Sequence, residues 1–84
     1  MVHDEIDTEN LNFSDTIRTI RDHIGLRQYK VAKLLDITVN RLSRLETGFF
    51  RDIPLEQEIE KLAYFYEIPF EVLKAKALSQ NVDL

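Results

Sequence analysis

The sequence has no cysteine and no tryptophan, and only two glycines and two prolines in 84 residues. Without cysteine there is no disulfide framework and no thiolate metal site, and the expected location is cytoplasmic. Two glycines, Gly25 and Gly48, make no glycine-rich phosphate loop. No apolar run approaches the roughly 20 residues that cross a bilayer, so no membrane partner is expected. The acidic opening MVHDEIDTENLNF lacks an apolar core segment and does not read as a signal peptide. His3 and His23 have no second histidine or carboxylate at ligand spacing, and no nucleophile constellation accompanies them. No metal, no cofactor and no enzymatic activity are expected.

What is present is charge, unevenly placed. The formal net charge is -4. Residues 1–17 carry five acids and no Lys or Arg, while residues 52–84 carry seven acids against three lysines. Between them, residues 18–51 hold eight of the eleven cations against Asp22, Asp36 and Glu46. Local potential, more than net charge, governs attraction to a polyanion.

Hydrophobic spacing predicts five helices in one all-α domain. Residues 1–12 read as a flexible acidic arm, 13–79 as the folded domain and 80–84 as a polar, frayed tail. Phe13, Ile17, Ile20 and Ile24 recur at helical spacing, with Ser14 as the expected cap and Gly25 as the stop. A second helix is predicted from Gln28 to Leu35, with Val31, Ala32, Leu34 and Leu35 on its apolar face. Asp36 and Ile37 form a turn, Thr38 caps a third helix from Val39 to Thr47, and Gly48 ends it. Leu42 and Leu45 turn one face of that helix inward. Val39, Asn40, Ser43, Arg44 and Thr47 lie largely on its other faces.

Pro54 is expected in the first turn of a fourth helix whose buried stripe is Leu55, Ile59, Leu62, Ala63 and Tyr66. Pro69 is expected to open a fifth helix with a broad apolar surface. Glu56, Glu58 and Glu60 read as a solvated face. Phe49 and Phe50 cannot both be buried easily in a short loop; one is expected to anchor the fourth helix and the other to stay half exposed.

In order and spacing, Leu26, Gln28, Val31, Ala32, Leu35, Ile37, Thr38, Leu42, Ser43, Leu45, Glu46 and Gly48 resemble the lambda-repressor/Cro-like family, the xenobiotic-response-element type of helix-turn-helix. Ile68-Pro69-Phe70-Glu71-Val72-Leu73 resembles the start of its fifth helix. The resemblance spans about residues 14–78 and implies a compact five-helix bundle. It also implies a sequence-specific, repressor-like DNA-binding regulator whose third helix reads the major groove of double-stranded DNA as a homodimer.

Carried over by position, Val39, Asn40, Ser43 and Arg44 are the implied base contacts. Asn pairs with adenine and Arg with guanine through two hydrogen bonds, and valine methyls meet the thymine methyl. Gln28 and Thr38, at helix N-termini, are implied phosphate contacts, joined from the flanks by Lys30, Arg41 and Arg51. Arg21 and Glu46 are the implied structural ion pair. Phe70, Leu73, Ala77 and Leu78 form the expected dimer surface, with Phe49 or Phe50 beside them.

Two departures stand out. Arg27 occupies a position where the family has a capping side chain, at a cost of about 1 kcal/mol. Asp36 stands where a glycine is usual. The competing reading is a protein-interaction module that keeps the fold without binding DNA; the acidic ends and the aromatic run Tyr64, Phe65, Tyr66 favour that protein partner.

Overall fold

The computed structural model describes residues 7–50 and 52–81, which form five helices. They are α1 (Phe13–Ile24), α2 (Gln28–Leu35), α3 (Val39–Thr47), α4 (Glu56–Tyr66) and α5 (Phe70–Asn81). α1 packs against α3, α4 and α5; α2 packs on α3, and α4 on α5. Phe13, Ile17 and Ile20 of α1 meet Val31, Leu42, Leu45, Ile59, Leu62, Tyr66, Leu73 and Ala77 in one buried core. α1 therefore serves as the central support on which α3 rests.

The helix ends follow local chemistry. Each of α1 to α4 closes on a residue in the left-handed region: Gly25, Asp36, Gly48 and Glu67. Asp36 adopts φ 57° and ψ 47°, a conformation that a short polar side chain tolerates better than most. Gly48 is constrained further. A Cβ there would meet Gln80 Nε2 at 3.1 Å.

The α1 cap is Asn12 and not Ser14: Asn12 Oδ1 accepts the Asp15 N–H at 2.8 Å. Ser14 is buried instead and bonds with Gln80, its N–H donating to Oε1 at 3.0 Å and its hydroxyl accepting from Nε2 at 2.9 Å. The predicted frayed tail after Ser79 is thus helical as far as Asn81, because Gln80 has a partner on α1. Residues 1–6 and 82–84, part of the expected arm and tail, lie outside the described residues. The described part of the arm is tied down, since Lys76 Nζ donates to the carbonyls of Thr8 at 2.7 Å and Leu11 at 2.6 Å.

Both prolines sit before their helices and not in the first turn, Pro54 two residues ahead of α4 and Pro69 one residue ahead of α5. α4 begins at Glu56 after Leu55, and α5 begins at Phe70 after Pro69, whose carbonyl accepts from Val72 and Leu73. Leu55 is exposed, so the buried apolar stripe of α4 starts at Ile59. Phe50 is the buried phenylalanine of the loop and meets Phe13 of α1 edge to face at 6.2 Å; Phe49 is 78% exposed.

Candidate nucleic-acid interface

α3 is short, and its sequence divides it cleanly. Helical spacing places Leu42, Leu45 and Glu46 on one side, and these are its buried residues. Asn40, Arg44 and Thr47 are exposed on the opposite side, with Ser43 half-buried and Val39 exposed at the edge. The helix starts cleanly because Thr38 Oγ1 accepts the Arg41 N–H at 3.0 Å. The four base contacts implied by the resemblance are therefore brought to one accessible face and its edge.

That face is held at a fixed tilt by a buried polar cluster. Arg21 Nε and Nη2 donate to the two oxygens of Glu46 at 2.6 and 2.9 Å. Arg21 Nη1 reaches on to the Leu26 carbonyl at 2.8 Å. Glu46 is 1% exposed, and its hydrogen bonds hold the Arg21 guanidinium above the usual arginine range. Gln28 Nε2 also donates to Glu46 Oε1, at 2.9 Å. One carboxylate on α3 thus collects donors from α1 and α2. Gln28 was expected to turn its amide toward a phosphate; instead that amide is engaged inward. The first N–H groups of α2 have no side-chain cap, since Arg27 cannot supply one. Burial pushes the nearby Tyr66 hydroxyl far above the ordinary tyrosine range, and it has no hydrogen-bond partner among the described residues.

The cations fall into two groups. Arg18 pairs with Asp15, Arg21 with Glu46, and Arg41 with Glu58. Arg27, Lys30, Lys33 and Arg44 are exposed and make no ion pair among the described residues. All four belong to α2, its cap or α3; Lys61 of α4 is likewise exposed and without an ion pair among the described residues. Thr38, the α3 cap, and Lys30 of α2 are exposed. Arg51, also expected to contact phosphate, lies outside the described residues.

Glu58 was read as part of a solvated acidic face, yet it is buried. Its oxygens accept from Arg41 Nε and Nη2 at 2.7 and 2.8 Å and from the Leu55 N–H at 2.9 Å. The one available signal was its position three residues after Leu55, where an acid accepts the backbone N–H preceding a helix. Arg41 and Arg44 then line an open groove of about 890 Å³ together with Phe49, Phe50, Asp52, Ile53 and Leu55. On α5, Leu73 and Ala77 are fully buried in the chain's own core, which removes them from any surface offered to a second copy. Phe70 stays half-buried and Leu78 exposed.

No helix among the described residues is long and apolar enough to cross a membrane. No curated protein and no solved structure matches the chain. The helix-turn-helix family model matches residues 17–73, which contain most of α1, all of α2 to α4 and the start of α5. The chain belongs to the lambda-repressor-like helix-turn-helix family of DNA-binding transcription regulators.

Proposed function

We propose that this protein is a sequence-specific, repressor-like DNA-binding regulator that seats α3 in the major groove of each half-site as a homodimer. The observation that carries the reading is the outward face of α3, where Asn40 and Arg44 are exposed and unpaired among the described residues while Leu42, Leu45 and Glu46 hold the other side to the core. Asn40 and Arg44 supply the two-bond readers of adenine and guanine, and Val39 supplies methyls for thymine, with Ser43 nearby. Lys30 and Thr38 contact phosphates, aided by the uncapped N–H groups at the start of α2, which include that of Gln28.

One α3 reads only a few base pairs, and two half-sites about 34 Å apart are the usual solution. With Leu73 and Ala77 committed to the core, Phe49 is the stronger anchor for a second copy, joined by Phe70 and Leu78. Phe49 and Tyr64, 78% and 90% exposed, also favour the competing reading, a protein-interaction module.

A salt titration on random duplex DNA separates the two. DNA binding gives an affinity that falls with salt at a logarithmic slope near -0.9 per phosphate contact. A protein-interaction module gives no measurable duplex binding at low salt.

A further inference from the structure

Arg41 stands on the recognition helix, one turn before Arg44, yet its charge is already spent inside the molecule. Its Nε and Nη2 donate to both oxygens of Glu58, and the Glu58 side chain is 9% exposed against 31% for Arg41. Glu58 is also fixed from its own helix by the Leu55 N–H. A phosphate that drew Arg41 away would strand a buried carboxylate, which is strongly disfavoured. Only Nη1 of Arg41 remains without a partner among the described residues. Arg44 shares its groove with the exposed Asp52 but makes no ion pair among the described residues.

We propose that Glu58 is an internal competitor for phosphate: by holding Arg41 it withholds one positive charge of the recognition helix from the DNA backbone. Glu58 thereby sets the strength and salt dependence of duplex binding without touching DNA. This role rests on the DNA-binding reading above. Sequence-independent affinity is governed by the number of phosphates neutralised, so one withheld cation is one contact fewer.

The test is a salt titration of random-duplex affinity for the parent, for Glu58→Gln, and for the double variant Arg41→Gln/Glu58→Gln. Glutamine keeps an oxygen for the Leu55 N–H but cannot neutralise Arg41. Glu58→Gln is expected to bind random duplex more tightly at low salt, with a slope steeper by about 0.9. Its advantage over the parent then shrinks about 3.5-fold between 50 and 200 mM salt by that slope. The double variant is expected to return to the parental slope, because the freed cation is gone.

Helical circular dichroism checks folding, and Glu58→Met, apolar and similar in size, replaces Glu58→Gln if the latter does not fold. A folded Glu58 variant with the parental slope overturns the proposal, as does a double variant that keeps the steeper slope. A parent that ignores duplex DNA at low salt overturns the DNA-binding reading itself, a distinct outcome.

Discussion

Arg41 and Arg44 lie three residues apart on α3 and share the wall of one groove, but among the described residues only Arg41 has an acidic partner. At that spacing two side chains are neighbours on a helix surface, and like charges repel. Glu58 removes the repulsion by neutralising one of them. The result is that, among the described residues, α3 carries a single unpaired guanidinium, that of Arg44, on its outward face.

The tilt of α3 depends on Glu46. Glu46→Ala leaves Arg21, 12% exposed, without its carboxylate and Gln28 without its acceptor. The expected loss is about 3–5 kcal/mol of folding stability, the usual cost of stranding one member of a buried pair. Gln28→Ala removes one hydrogen bond to a charged group and is expected to cost less, about 1.5–3 kcal/mol. Urea unfolding measures both. A Glu46→Ala protein as stable as the parent contradicts the clamp.

Glu58 also makes a statement about pH. The Arg41 hydrogen bonds hold its carboxyl below the ordinary value of 4.5, with help from the Leu55 N–H and Lys61 and against the opposing effect of burial. A group depressed on folding stabilises the native state above its unfolded pKa and loses that contribution as pH falls through its folded pKa. Stability from this pair is therefore complete above pH 4.5 and declines progressively below it. Urea unfolding across acidic pH is expected to show a shallower decline for Glu58→Gln than for the parent. Parallel curves for the two proteins contradict the assignment.

The two phenylalanines of the α3–α4 loop are expected to behave oppositely. Phe50 is 7% exposed against Phe13, and Phe50→Ala is expected to cost about 3–5 kcal/mol, as for other buried aromatic deletions. Phe49→Ala, at 78% exposure, is expected to change stability by less than about 0.5 kcal/mol. If Phe49 anchors a second copy, the same substitution weakens self-association in sedimentation equilibrium. An unchanged dimer constant removes Phe49 from the interface.

The segment from α2 to Gly48 was legible because its signals are local. Thr38 as a cap, Asp36 in a left-handed turn and most apolar positions of α2 and α3 each act within a few residues, and both helices fall where the spacing places them; Leu34, expected on the apolar face of α2, is exposed instead. Partners distant in sequence were not legible. Glu58 looks solvated among Glu56 and Glu60 until folding brings α4 to Arg41, 17 residues away. Gln28 looks like a surface amide until Glu46 arrives from α3. On α5, apolar residues do not reveal which of them face the core; Leu73 and Ala77 do, while Val72 and Leu78 are exposed. The sequence pattern therefore located α3, the proposed recognition helix, while packing decided which of its charges are available.

Selection of bound duplexes from a random pool, run with the parent and with Arg44→Ala, tests the central claim most directly. The expected parental result is a palindromic consensus with half-sites about 10 base pairs apart, the repeat that places two α3 helices on one side of the duplex. Arg44→Ala is expected to keep the consensus but relax one position in each half-site, with a loss of about 1–3 kcal/mol of discrimination there. No enriched sequence for the parent, or an unchanged consensus for Arg44→Ala, contradicts the placement of this helix against base edges.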